Sequence, residues 1–338
     1  IQRTMQQRVE MVTHEDCPLD VLQVVATHDT DDPVINACAF GKNADDSIFS
    51  IVRERLSLTE EELAQSVKAY HIQNNPKFKD AFCSLPWIHA ATNSNGSVRA
   101  CCQMIYDDDE IPFGNIYKDD GTPVTGSDNI DENRNAKNWK SLRSAMLQGK
   151  RHKACQLCWD EEDNNIESKR QNHNNVNRND IEKMLQKTQD DGTINPTDFP
   201  ISYWDLRFGN KCNIKCRSCG PTDSDQWYSD HIELGMGNKF KTKDGDTVTI
   251  EESAPGKYKT PEIFHWVENS KLWDNIRNNI RQINRFYFTG GEPTVNIKHR
   301  ELLDFMIDED VAKDIVLEYN TCLLYTSDAA DDPACVDL

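Results

Sequence analysis

The feature that most constrains this chain is a cysteine-rich run between Phe208 and Pro221. It reads F-G-N-K-C-N-I-K-C-R-S-C-G-P and places Cys212, Cys216 and Cys219 in a C-x3-C-x2-C array. Three thiolates on one short loop can hold three irons of a cubane [4Fe–4S] cluster and leave the fourth iron without a protein ligand. An iron with an open position is a place for chemistry as well as for electron storage.

The rest of the composition narrows the setting. A chain of 338 residues is long enough for two domains and a sizeable core. Its net charge of -19 argues against nonspecific nucleic-acid binding, which needs basic patches to replace counterions. It does not exclude a basic pocket. A hydrophobic content of 37% predicts long polar loops or an incomplete core. No apolar run is long enough to cross a bilayer, and Ile1-Gln2-Arg3 has neither an initiator Met nor the apolar region of a signal peptide. A cytoplasmic chain is expected. Twelve cysteines without an export signal point to metal or redox sites before disulfides. Their clustering into two C-x2-C pairs, a Cys-Cys pair and one C-x3-C says the same.

In chain order, residues 1–75 form an N-terminal region that is hard to read. Leu19 to Ala26 favours a strand through Val21, Leu22, Val24 and Val25. Cys17 and Cys38 read as structural thiols. A helix is predicted over Thr59–Gln73, with a capping box at Thr59 and Glu62 and an apolar face at Leu63, Val67 and Tyr70. Asn74-Asn75-Pro76 stops it. Asn95-Gly96 signals a hairpin that returns Cys101 toward Cys83. The acidic, Asn-rich stretch 107–135 reads as a solvated loop, because its spacing departs from a Ca²⁺-binding EF-hand loop. Asn138–Gln148 reads as a helix with Trp139, Leu142 and Met146 on one face and Gly149 as its C-cap. Cys155 and Cys158 form a C-x2-C knuckle able to bind one metal centre from a single turn. His152 and His173 read as surface histidines, and Asn172–Asn179 as a linker or a solvated helix start.

From Ile201 the character changes. Ile201–Phe208, Arg285–Thr289 and Ile315–Tyr319 read as strands, with helices at Gln226–Leu234, Pro261–Asn279 and Arg300–Ile307 between them. A hairpin is expected around Lys243–Asp246, within an insertion. Strand, helix, strand at these lengths implies right-handed βαβ units and a parallel sheet. Asp205 and Arg207 share a strand face and read as either lining the active cavity or forming a structural ion pair, the pair being the preferred reading.

Strand–C-x3-C-x2-C followed by strand–Gly290-Gly291-Glu292-Pro293 resembles the radical S-adenosylmethionine (SAM) superfamily, over Ile201 to Asn320. The resemblance implies a [4Fe–4S] cluster on Cys212, Cys216 and Cys219, with SAM chelating the open iron. It implies SAM contacts from Gly290, Gly291, Glu292 and Pro293: glycines for close backbone approach, the carboxylate for the amino group, the proline to stiffen the turn. Reductive cleavage of SAM to a 5′-deoxyadenosyl radical would then abstract hydrogen from substrate. Ser218 departs from the aromatic residue often found before the third cysteine, which puts an adenine contact in doubt. The fold implied is α/β: a partial (β/α) barrel of about three βα units preceded by a small cysteine-rich α+β module.

Upstream, Cys83-x-x-Pro86-Trp87, Cys155-x-x-Cys158-Trp159 and Ser168-x-Arg170 resemble radical SAM proteins whose auxiliary-cluster module, of the twitch or SPASM type, precedes the barrel. That resemblance implies a second [4Fe–4S] cluster on Cys83, Cys101, Cys155 and Cys158, with Cys102 either replacing Cys101 or packing. A structural zinc site on the same thiolates is the alternative. The expected division is 1–75, an auxiliary module at 76–180, a linker at 181–200, the radical SAM core at 201–321 and a non-native tail at 322–338. The tail, from Cys322-Leu323-Leu324-Tyr325, resembles a translated sequencing adaptor. The expected partners are a peptide or other small substrate, through peptide or protein modification, and an electron donor such as flavodoxin or ferredoxin, without membrane or nucleic acid. The competing class is a noncatalytic zinc- or iron–sulfur-binding interaction protein.

Overall fold

The computed structural model describes residues 3–104, 124–126, 128–268 and 270–321. Of the stretch considered for Ca²⁺, 107–135, residues 107–123 and 127 lie outside the described residues, as does the tail 322–338. The end of that stretch is not a solvated loop, since Ile130–Asn133 is a short helix and Val124 and Ile130 are buried. The chain divides into two compact units. Residues 1–82, 145–150 and 176–189 form the first, and residues 83–144, 151–175 and 190–338 the second.

The first unit is helical. Leu19–His28 is a helix, against the strand expected there. Its valines favour strands, but Leu22 and Ala26 stand four apart and are both fully buried, with Val21 and Val25 packed beside them. Period 3.6 thus outweighs local β propensity. Glu60–Gln73 is a helix with the predicted capping box at Thr59 and Glu62 complete. Cys17 and Cys38 sit in the same apolar cluster, and burial drives Cys38 up to about 12. Ala145 to Lys150 ends a helix as expected: Gly149 has φ +66° and Lys150 N–H donates to Ala145 O at 2.9 Å.

In the second unit the strands are β1 (His89–Thr92), β2 (Val98–Arg99), β3 (Tyr203–Arg207), β4 (Lys239–Lys241), β5 (Thr247–Thr249), β6 (Glu252–Ala254), β7 (Lys257–Tyr258), β8 (Arg285–Thr289) and β9 (Val316–Tyr319). The main sheet has the order β2-β1-β3-β8-β9. β1, β3, β8 and β9 run parallel, and β2 is antiparallel to β1 with Thr92 opposite Val98. The hairpin at Asn95-Gly96 and the parallel strands at 201–208, 285–289 and 315–319 are therefore as read from the sequence. The membership of β1 is new. The segment expected as a module of its own, 76–180, is shared between the two units, and its hairpin is part of the sheet that carries the C-x3-C-x2-C loop. Pairing between such distant segments leaves no local signature. The fold is mixed α/β with a parallel-strand sheet. Among the described residues no helix is long and apolar enough to cross a membrane.

The two faces of this sheet differ. Trp204, Leu206, Phe286 and Phe288 alternate onto a fully buried apolar face. There Phe288 meets His299 of the helix Ile297–Asp308 edge-on, and neighbouring Phe208 stacks on Trp273 of the helix Ser270–Asn278. The opposite face carries His89, Tyr203, Asp205, Arg207, Arg285 and Tyr287, by register. Parallel strands covered on both sides are usually apolar throughout, so this face departs from the norm. Helix Lys169–Val176 lies over it, with His173 stacked on Tyr203 and Lys169 Nζ 5.6 Å from that ring. Two expectations are corrected by this contact. Residues 172–176 complete a packed helix rather than forming a linker or a solvated helix start, and His173 is buried rather than at the surface. Burial lowers its pKa to about 4, so it is neutral.

Two fully buried arginines tie the entry to β1 to the chain leading into β3. Arg134 donates to Trp87 O and to Phe199 O. Arg143 donates to Gly192 O, Pro86 O and Arg134 O. Arg143→Met would leave buried carbonyls unpaired and is expected to cost about 3 kcal/mol or more of unfolding free energy, read from the urea midpoint.

Candidate functional site

The C-x3-C-x2-C loop leaves the end of β3 and is held by its own backbone. Asp225 N–H donates to Asn210 O at 2.8 Å, closing the loop. Asn210, fully buried, donates to Pro221 O and to the Tyr228 hydroxyl. Asp225 Oδ1 accepts from Cys212 N–H, Gln226 donates to Cys212 O, and Trp227 Nε1 donates to Cys216 O. These bonds hold the shape of the loop around its three thiols. Cys212 and Cys219 are half-buried and Cys216 is exposed. Burial, followed by the Asp223 charge, raises the Cys219 thiol.

The Gly290–Pro293 turn leaves the end of β8 and locks onto that loop. Gly291 N–H donates to Asp223 O at 3.1 Å and Glu292 N–H to Lys211 O at 2.9 Å. Both glycines have positive φ, +79° and +57°. A Cβ on Gly290 would lie 2.5 Å from Arg207 Cβ, and one on Gly291 would lie 2.2 Å from Lys211 O. The glycines are thus required by the protein's own packing. Glu292 is buried, and its Oε1 accepts from Thr294 N–H, Thr294 Oγ1 and Thr321 Oγ1. It caps the short 3₁₀ turn Pro293–Val295. The two motifs line one cleft of about 410 Å³, with Ser218, Arg207, Asp223, Lys243 and Asn320 among its walls. Asn210, Asp225, Asp223 and Lys243 carry no motif and went unread in the sequence. The adjacency of Asn210 and Asp225 to the cysteine loop was the available signal.

The upstream cysteines fall into two groups. Cys83, Cys155 and Cys158 are close enough that each of the first two feels the charge of Cys158, and Cys155 that of Cys83. Burial pushes Cys83 up to about 12 and raises Cys155 and Cys158 as well. The knuckle sits where the helix Gln156–Asp163 begins. Glu162 of that helix accepts from Ser168 Oγ and from Arg170, whose guanidinium lies 5.1 Å over Trp159. This explains the Cys-Trp and Ser-x-Arg pattern as a clamp between two helices. Cys101 belongs to the turn after β2, which reaches Cys158 through Gln103, 3.6 Å from its sulfur. Cys102 lies beside Cys101, and Lys169 Nζ donates to its sulfur at 3.0 Å. Among the described residues, no group of three or more Cys, His, Asp and Glu side chains converges tightly enough to hold a single metal ion. A cubane spreads its thiolates over separate irons and makes a looser demand. The donor set of the C-x3-C-x2-C loop, thiols alone facing a cleft, fits such a cluster.

Asp205 and Arg207 do not form the expected ion pair. Arg207 Nη1 lies 3.6 Å from Asp223 instead. Asp205 is fully buried, and neither oxygen has a hydrogen-bond partner. Burial, then the Cys102 thiol beside it, pushes its carboxyl up to about 8. Compared with family models, with curated proteins and with solved structures, the chain matches none.

Two outcomes are expected. Gly291→Ala should lose about 2 kcal/mol or more of stability, because positive φ and the Lys211 carbonyl both reject a Cβ; denaturant unfolding checks this. Asp205 has a folded pKa above its unfolded one, so it favours the folded state at low pH and penalises it as pH rises from about 4 to about 8. Asp205→Asn should therefore raise the melting temperature at pH 8 and leave it nearly unchanged at pH 4.

Proposed function

We propose that this chain carries the cluster- and SAM-binding core of a radical SAM enzyme. The observation that supports the reading most is the interlock of the two motifs: Gly291 N–H on Asp223 O and Glu292 N–H on Lys211 O, with Cys212, Cys216, Cys219 and Gly290–Glu292 around one cleft. Cys212, Cys216 and Cys219 would hold a [4Fe–4S] cluster, and bound SAM would supply, on one-electron reduction, a 5′-deoxyadenosyl radical for hydrogen abstraction.

The chain's own residues set the conditions for that chemistry. The loop's backbone bonds hold the three thiols along the cleft. The glycine turn, fixed from two sides, forms another wall, and its missing side chains let it pack directly against Arg207 and Lys211. Glu292 is held by Thr294 and Thr321, so its carboxylate is fixed in position rather than free to rotate. Raised thiol pKa values at Cys219 and Cys83 mean that loading a cluster must displace protons. Cys83, Cys155 and Cys158, with Cys101 as the fourth donor, would hold an auxiliary cluster at the base of the polar sheet face. A partial barrel, a peptide or other small substrate, and a flavodoxin- or ferredoxin-like donor belong to the same proposal.

Anaerobic reconstitution with iron and sulfide tests it. About eight irons per chain are expected for two cubanes. Cys216→Ala should lose about half of them, together with any spectral response to SAM, and Cys155→Ala should lose the other half while keeping that response. Stoichiometric zinc with no SAM cleavage under dithionite would overturn the reading.

A further inference from the structure

The insertion between the cysteine loop and β8 brings a second charge into the cleft. Lys243 sits at the tip of the β4–β5 hairpin, where a lysine is ordinarily solvated and unrestrained. Here the hairpin tip around it is pinned. Asp244 accepts from Asn95 Nδ2 at 2.7 Å, Ser97 Oγ at 2.6 Å and Asn93 Nδ2 at 3.2 Å. Asp246 accepts from Asn95 Nδ2 at 3.0 Å, and Thr242 N–H donates to Asp246 O. With Asp244 occupied by three neutral donors, Lys243 is directed to the cleft wall beside Arg207.

The two cations share one carboxylate and are poorly satisfied by it. Asp223 Oδ1 lies 3.6 Å from Arg207 Nη1 and 3.9 Å from Lys243 Nζ, both beyond hydrogen-bond distance. Arg207 Nε is buried without an acceptor. Glu292, the other carboxylate of the cleft, is bonded by its threonines. The two cations and two carboxylates of the cleft balance in number, but Glu292 is turned to its threonines and Asp223 stands beyond hydrogen-bond distance. Neither cation is therefore directly bonded to a carboxylate there, and the half-exposed Lys243 side chain stays open to the cleft. Burial lowers the Lys243 pKa, with Asp223 opposing the shift and Arg207 and Arg99 adding to it.

We propose that Arg207 and Lys243 form an oxyanion subsite that takes a carboxylate or phosphate group of the substrate. The subsite deepens the function proposed above and rests on it only for the cleft being the place of reaction. A planar guanidinium and a point-charge ammonium on either side of one anion fix its position as well as its charge. Asn93, Asn95 and Ser97 act as positioning residues, since they hold the hairpin tip that delivers Lys243.

Calorimetric titration of the full chain with succinate and, separately, with inorganic phosphate tests this, before and after iron–sulfur reconstitution. Saturable binding of at least one anion is expected, weakening as salt is added, and the preferred anion identifies the substrate's charged group. Lys243→Gln should weaken binding about tenfold and Lys243→Arg should retain it. Asp244→Ala should weaken it with Lys243 still present. Absence of saturable binding to the native chain, or an unchanged Kd in Lys243→Gln, overturns the proposal. Anion binding in a chain that takes up no cluster leaves the subsite standing and counts against the radical SAM reading instead.

Discussion

Two backbone hydrogen bonds hold the candidate site together. Gly291 N–H to Asp223 O and Glu292 N–H to Lys211 O join the turn after β8 to both flanks of the loop after β3. Neither bond depends on a side chain, so neither can be recovered by a conservative substitution. Both require the turn to come closer than any Cβ permits, which fixes the residue type at 290 and 291 before any ligand is considered. The same glycines thus let the turn pack directly on Arg207 and Lys211 while it forms part of the cleft wall.

The sheet beneath supplies the chemical contrast. Its apolar face is closed by Phe–Trp and Phe–His contacts, and its other face carries Asp205, Arg207, Arg285 and the buried His89. Asp205 is costly to keep there as a carboxylate, and its neighbours relieve it only in part. Buried groups left in this condition occur more often where chemistry is done than where a core is only being filled.

Much of the fold was legible from the sequence because its signals are local. The Thr59–Glu62 capping box, the Trp139–Leu142–Met146 face, the Asn95-Gly96 hairpin and the strands ending at Arg207, Thr289 and Tyr319 all follow from neighbours within a few residues. What was illegible is long-range. Leu19–His28 is helical because its buried positions face a helical core. The Asn-rich helix Lys169–Val176 forms against the sheet, with Arg170 bound to Glu162 and His173 stacked on Tyr203. Cys212, Cys216, Cys219 and Gly290–Glu292 were read from the sequence, and the fold brings them to one cleft; their role as ligands is the proposal. Lys243 was invisible because an isolated lysine in a hairpin turn looks like every other surface lysine until its neighbours are seen to be bound.

The parallel pairing of β1 with β3, His89 opposite Tyr203 and Ala91 opposite Asp205, has a mechanical consequence. Cysteine groups on tethered modules change their separation whenever the linker flexes. Here the turn bearing Cys101 and the loop bearing Cys212 grow from strands of a single sheet. Sliding one relative to the other would break every rung between them at once. Their spacing is therefore a constant of the sheet, as rigid as the strand-to-strand distance itself, and not a variable that substrate or solvent can tune.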